Sequence, residues 1–124
     1  EIAAKWMNIS QNDKNIVLEK LGGSTTIIVP VKVGITSPSI TGDKQTLGVR
    51  IPDHKFCQKL SEAYPNPITT TSVNRTRQKP LTNPEKILSE FSREIDLIIE
   101  DGIIEGSGST IYSFQDRELN IIRS

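Results

Sequence analysis

The sequence predicts an α/β domain: a twisted, mixed sheet with flanking helices. Short β-branched runs recur at residues 25–31, 47–51 and 68–71. They alternate with stretches that carry helix caps and helical apolar spacing. Residues 109–114 and 119–123 then read as two strands joined by a polar turn, a hairpin if the turn is tight. Strands alternating with helices build a layered α/β sheet, and an antiparallel hairpin at one end makes it mixed.

Asn12 is a cap for a helix through Leu21, with Ile16, Val17 and Leu21 on one face and Gly22 ending it. Trp6, just upstream, reads as a packing anchor. Residues 25–31 (Thr-Thr-Ile-Ile-Val-Pro-Val) are apolar on both faces, the pattern of a buried strand. Residues 32–46 carry Gly34, Pro38 and Gly42 and read as a long loop, which favours a mobile or ligand-covering role. Residues 47–51 form the next strand, closed by Pro52.

Asp53 then caps a helix through Ala63 whose apolar face is Phe56, Cys57, Leu60 and Ala63. Cys57 lies inside that stripe and reads as a small buried hydrophobe rather than a nucleophile. His54 falls in the first turn, where the helix's positive end disfavours imidazolium, so a structural or exposed role outweighs a catalytic one. Residues 68–71 (Ile-Thr-Thr-Thr) read as a central strand, because side chains branched at Cβ fit a pleated surface. Asn83-Pro84-Glu85 gives cap, first-position proline and first-turn acid for a helix that buries Ile87, Leu88 and Phe91. Residues 96–100 read as another strand, and 102–108 as a flexible loop.

The chain has 124 residues, enough for about one domain with a real core. Fifteen Lys and Arg balance fifteen Asp and Glu, so global charge argues neither for nor against a nucleic-acid partner. The best local basic cluster is Arg75, Arg77 and Lys79. Lone Cys57 excludes an internal disulfide, and with His54 alone it cannot make the usual structural zinc site, so no metal site is expected. A reducing, cytoplasmic compartment fits. No apolar run approaches membrane-spanning length, and no membrane partner is expected. The sequence starts at Glu1 rather than methionine; either a leader has been removed or this is part of a longer polypeptide.

Glycine-rich phosphate loops, dinucleotide fingerprints and serine elbows are absent. What remains are arginines and hydroxyls near strand ends: Arg50, Ser72, Asn74, Thr76, Ser109 and Arg123. Arginine's planar fork matches carboxylates and phosphates, so two of them at strand ends suit an anionic ligand, although either could instead be a surface residue, as arginines mostly are. Residues 72–76 are either a ligand loop or, as such composition more often gives, a Ser/Asn/Thr turn bonding its own backbone.

Four blocks resemble the YrdC-like family, the threonylcarbamoyl-AMP synthases, in the family's order. Gly23-Ser24-Thr25-Thr26-Ile27-Ile28-Val29-Pro30 resembles its Pro-Gly-x-x-Thr block. Thr46-Leu47-Gly48-Val49-Arg50-Ile51-Pro52-Asp53-His54 resembles its Val-Arg-x-Pro-Asp-His block. Thr71-Ser72-Val73-Asn74-Arg75-Thr76 resembles its Ser-Ala-Asn-x-Ser loop. Gly108-Ser109-Thr110-Ile111 with Ile121-Ile122-Arg123 resembles its closing segments. Arg77 stands where the family has glycine, Val73 where it has alanine, and Gly108 where a larger residue is common.

The resemblance implies a YrdC-like fold and an L-threonylcarbamoyladenylate synthase, an enzyme of nucleotidyltransferase type. It would join ATP, L-threonine and bicarbonate and release pyrophosphate, with Mg²⁺ accompanying ATP. By the same resemblance Arg50 pairs with the threonine carboxylate and Ser72 and Ser109 line the threonine pocket. Thr46, Asn74 and Thr82 contact ATP, and Arg123 holds its phosphates or adenylate. The implied partners are tRNA or double-stranded RNA and other tRNA-modification proteins. Two other readings stand beside this one: an RNA-binding module without its own catalysis, and a carbamoyl-transfer relative. The family's opening section, with a Lys-x-Arg pair, has no counterpart here. The expectation is therefore one YrdC-like domain over residues 1–124: a fragment lacking the N-terminal part, a chain completed by a second polypeptide, or a degenerate relative, with weak ATP binding by itself and an exposed apolar patch.

Overall fold

The computed structural model describes residues 2–124. The chain forms two compact units, one from the chain up to Pro67 together with Gly108–Ser124, the other from Ile68–Ser107. The first holds a four-stranded sheet of β1 (Thr25–Pro30), β2 (Thr46–Arg50), β3 (Thr110–Gln115) and β4 (Glu118–Arg123). Their order is β2-β1-β3-β4. β1 pairs antiparallel with β2 and parallel with β3, and β3 pairs antiparallel with β4, so the sheet is mixed, as the alternation of elements implies. The hairpin turn is Asp116-Arg117, both with positive φ (50° and 65°), the geometry that matches the twist of flanking strands.

Alternation along β1 sends Ile27 and Val29 to one face, where both are fully buried. Ile27 stands opposite Val49 and level with Tyr112, and Val29 opposite Leu47. Phe114 and Leu119 extend this face toward β4. Against it pack α1 (Ile2–Trp6) and α2 (Gln11–Lys20), through Ala3, Met7 and Val17. Met7, Val17, Ile27, Val29 and Val31 are the largest fully buried side chains, each contributing roughly 1.5–3 kcal/mol. Trp6 is half-buried against this core, in keeping with an anchor.

Several expectations need correction. The cap of α2 is Ser10, not Asn12: its Oγ accepts from the Asp13 amide at 3.2 Å and donates to Asp13 Oδ2 at 2.7 Å. A serine with an acid three residues on is a reciprocal cap, which Asn12 cannot reproduce. Ile16 is exposed, and Val17 alone on that helix face is fully buried. The loop at 32–46 contains a short helix, α3 (Pro38–Thr41), capped by Ser37. His54, not Asp53, caps α4 (Lys55–Ala63); its Nδ1 accepts from the Phe56 amide at 3.2 Å. No residue of α4 is buried, and Phe56 and Leu60 are exposed. An amphipathic helix buries its stripe only where another element packs onto it.

In the second unit the predicted helix forms as α5 (Pro84–Phe91), with Asn83 Oδ1 accepting from the amides of Glu85 (2.9 Å) and Lys86 (3.2 Å). Of the three residues expected to be buried, Ile87 and Phe91 are half-buried and Leu88 is exposed. The strands expected at 68–71 and 96–100 are not formed. Ile68, Leu97 and Ile99 are exposed, and neither segment belongs to the four-stranded sheet. β-branched composition favours a pleated surface but makes no strand without a hydrogen-bonded neighbour.

Candidate functional site

The sheet face opposite the helical core carries the polar residues. On β1 it bears Thr26 and Ile28, out of phase with Ile27 and Val29. Thr26 pairs with Arg50 on β2 and with Ile111 on β3, and Ile111 pairs with Arg123 on β4. One cross-strand row therefore reads Arg50, Thr26, Ile111, Arg123. A shift in register between Ile111 and Tyr112 brings Arg123 into this row, because it skips Ile122. Adjacent strands lie about 4.8 Å apart, so the two arginine backbones stand about 14 Å apart with a row of side chains between them.

Ser109 joins that row by side-chain bonding. Its Oγ lies 2.6 Å from Thr26 Oγ1, and its carbonyl accepts from Arg123 Nη2 at 3.1 Å. Gly108 leaves the space this guanidinium occupies: a Cβ there would lie 3.1 Å from Arg123 Nη2. Arg50 is exposed and makes no ion pair among the described residues, so Asp53 does not neutralise it. A rigid strand thus presents an uncommitted guanidinium beside two linked hydroxyls, a donor set suited to a carboxylate or phosphate. Thr46 is on the same face but opposite Pro30, about 13 Å along β2 from Arg50 at 3.3 Å per residue.

Ser72, Asn74 and Thr82 belong to the second unit. Ser72 Oγ donates to Asn74 Oδ1 at 2.5 Å, and Asn74 Nδ2 donates to the Arg75 carbonyl at 2.9 Å. Backbone bonds from the Gln78 amide to the Arg75 carbonyl (2.9 Å) and from the Leu81 amide to the Val73 carbonyl (2.8 Å) close the turn. The self-bonded turn is thus present, and it brings Ser72 and Asn74 together. Thr82 is exposed beside the Asn83 cap and joins neither of them in a hydrogen bond.

Arg75 does not stand free as part of a basic cluster. Its Nε lies 3.3 Å from Glu90 Oε1, its Nη1 donates to Glu94 Oε2 at 3.0 Å, and its guanidinium stacks 4.5 Å from the Phe91 ring centroid. Hydrogen bonding to Glu94, then to Glu90, raises the Arg75 pKa, and the bond to Arg75 lowers that of Glu94. Arg77 adopts φ 68°, the left-handed conformation that glycine would take without strain.

Among the described residues no group of three or more His, Cys, Asp or Glu side chains could hold a metal ion. An open groove of about 550 Å³ in the second unit is lined by Asn83, Leu88, Ile98 and Ile103 among others, and contains none of the sequence-assigned residues. Among the described residues no helix is long and apolar enough to cross a membrane. Sequence reasoning missed Thr26 as the partner of Ser109. The available signal was its phase, opposite to the buried Ile27 and Val29.

The family model described as "Telomere recombination", covering Sua5, YciO and YrdC, matches residues 1–124. The chain is similar to the threonylcarbamoyl-AMP synthase of Photobacterium profundum, at 32% identity over 92 residues, 74% of this chain and 49% of that protein. It is also similar to the threonylcarbamoyl-AMP synthase of Idiomarina loihiensis, at 29% identity over 75% of this chain and 50% of that one. The chain spans about half the length of these curated relatives. Among solved structures, E. coli YciO superposes with a TM-score of 0.84 at 20% identity, over 98% of this chain and 59% of that one. The P. abyssi Sua5 complexed with L-threonine superposes with 0.81 at 23% identity, over 96% of this chain and 35% of that one. These superpositions establish the fold.

Proposed function

The chain belongs to the Sua5–YciO–YrdC family, and we propose that it serves the synthesis of threonylcarbamoyl-AMP from L-threonine, bicarbonate and ATP, with release of pyrophosphate. The observation that carries this is the cross-strand row in which the unpaired Arg50 and the Ser109-bonded Arg123 flank the Thr26–Ser109 hydroxyl pair. Arg50 holds the threonine carboxylate through its planar fork, and Ser109 orients the amino acid by its hydroxyl. Arg123 offsets the charge of the nucleotide phosphates. For Ser72 as a threonine contact, and for Thr46, Asn74 and Thr82 as nucleotide contacts, the support is the motif resemblance.

In this reading the threonine nitrogen bonds to the bicarbonate carbon while one C–O bond there breaks and water leaves, giving a carbamate. A carbamate oxygen then bonds to the α-phosphorus of ATP while the bond to pyrophosphate breaks. That makes the activity a nucleotidyl transfer, and its product supplies tRNA modification in the cytoplasm. The face offers hydroxyls and guanidiniums, a donor set that does not fit a resident divalent cation. Mg²⁺ belongs to this proposal only as the companion of ATP. RNA contact would fall to Arg77 and Lys79, because Arg75 is already paired with two acids.

The test is threonine titration of the chain followed by amide NMR. L-Threonine should shift the signals of Thr26, Arg50 and Ser109, and Arg50→Ala should abolish those shifts. If millimolar threonine leaves these signals unmoved, the proposal fails.

A further inference from the structure

We infer that Arg75 is a positioning residue: by gripping α5 it holds the Ser72–Asn74 pair in the geometry in which that pair meets a ligand. The inference rests on the functional reading above, which gives Ser72 and Asn74 to threonine and ATP.

Ser72 and Asn74 sit on an irregular segment with no strand to fix it. Their own bonds, Ser72 to Asn74 and Asn74 to the Arg75 carbonyl, tie them to one another and to the Arg75 backbone. That backbone is anchored in turn by its side chain. The guanidinium meets Glu90 and Glu94 on its edges and the Phe91 ring on its face, and Nη2 also donates to the Glu90 carbonyl at 3.4 Å. Glu90 and Phe91 lie at the end of α5, and Glu94 just beyond it.

A single exposed ion pair fixes little. Here one guanidinium makes two carboxylate contacts, one carbonyl contact and one cation–π contact at once, and a planar fork loses less freedom per bond than a flexible amine. Arg75 is 43% exposed on its side chain, yet among the described residues no other side-chain hydrogen bond or ion pair links residues 72–75 to α5. Lysine could not make the same four contacts. The consequence is division of labour within one motif: Ser72 and Asn74 offer the polar atoms, while the residue after Asn74 decides where those atoms are held.

The experiment compares the full chain with Arg75→Ala, Arg75→Lys, Glu94→Gln and Asn74→Ala. The first readout is amide hydrogen exchange without ligand. Gln78 and Leu81, whose amides close the turn, should exchange about tenfold faster in Arg75→Ala and Glu94→Gln, with the β1 and β3 amides unchanged. Unchanged exchange at Gln78 and Leu81 overturns the inference. The second readout is the shift of the Ser72 and Asn74 signals with Mg·ATP. Arg75→Ala should need roughly ten times more ATP for the same shift, and Arg75→Lys should restore only part of the loss. If Asn74→Ala weakens ATP binding and Arg75→Ala does not, the positioning role is wrong while the functional reading stands. If neither the native chain nor any variant responds to ATP at these residues, the functional reading falls and the positioning role falls with it. A melting temperature lowered in Arg75→Ala without either change would mark the contacts as purely structural.

Discussion

The hydroxyls of Thr26 and Ser109 lie 2.6 Å apart, although 83 positions separate them in the chain. Thr26 is a fixed point of β1, so this bond ties Ser109 to the sheet at the first step before β3. Thr26→Val keeps the β-branched shape and removes the partner. The expected cost is about 0.5–1.5 kcal/mol in urea unfolding, the ordinary worth of such a bond. Threonine binding should weaken several-fold, because the Ser109 hydroxyl is then free to rotate. Unchanged affinity would separate Ser109 from the threonine contact.

Arg50→Lys keeps the charge and loses the fork. A bidentate guanidinium–carboxylate pair is worth roughly 1.5–3 kcal/mol, so the threonine requirement should rise about tenfold or more, with ATP binding little changed. The plain alternative, that Arg50 only pairs with Asp53, is not what the structure has. Threonine titrations of both proteins at saturating ATP decide the matter.

Gly108→Ala places a methyl against the far end of a flexible side chain, with Arg123 Nη2 at 3.1 Å from the new atom. The guanidinium should swing away and release the Ser109 carbonyl. Fold stability should move by less than about 0.5 kcal/mol, as for surface changes generally, while nucleotide affinity falls several-fold. An ATP titration with parallel thermal melts measures both.

Arg77→Gly should be neutral or stabilising by up to roughly 1 kcal/mol. Glycine escapes the strain of the left-handed conformation but loses more entropy on folding. Arg77→Val should destabilise instead, since branching at Cβ worsens the same clash. Urea unfolding of the three proteins gives the order directly.

The Arg75–Glu94 pair sets a pH dependence. Glu94 has its pKa lowered by the bond to Arg75, so its stabilising contribution is fully present above the ordinary carboxylate value of 4.5. It is lost as pH falls through the depressed folded value. The Arg75 pKa is raised, so the guanidinium stays charged throughout this range. Exchange at Gln78 should therefore accelerate on acidification below about pH 4.5 in the native protein, after correction for intrinsic rates. In Glu94→Gln it should already be fast at neutral pH.

Local pattern revealed what local chemistry decides. The β-branched run of β1, the Asn83-Pro84-Glu85 start of α5 and the polar turn at Asp116-Arg117 all follow from residues within a few positions of one another. The cap of α2 is Ser10 rather than Asn12 because Ser10 and Asp13 bond each other across the first turn. Residues 68–71 and 96–100 carry strand-like composition, but a strand also needs a neighbour, which composition does not supply. On the candidate face, Arg50, Ser109 and Arg123 were legible one by one. Their shared row was not, because it depends on pairing between β1, β2, β3 and β4 and on the register shift at Ile111/Tyr112. The partners of Arg75 lie 15 and 19 positions away, beyond any turn or helix periodicity.

The parallel pairing of β1 with β3 has a kinetic consequence. β1 and β2 are neighbours among the strands and form an antiparallel pair across residues 31–45, which include α3, whereas β3 reaches β1 only after the whole of Ile68–Ser107 has been passed over. Closing that long loop costs chain entropy before any contact repays it, and contacts of such high sequence separation slow folding. Completing the row that joins Arg50 to Arg123 therefore depends on contacts of high sequence separation. In a nascent chain Thr26 and Arg50 leave the ribosome well before Ser109, so the hydroxyl pair cannot form until more than eighty further residues have followed Thr26.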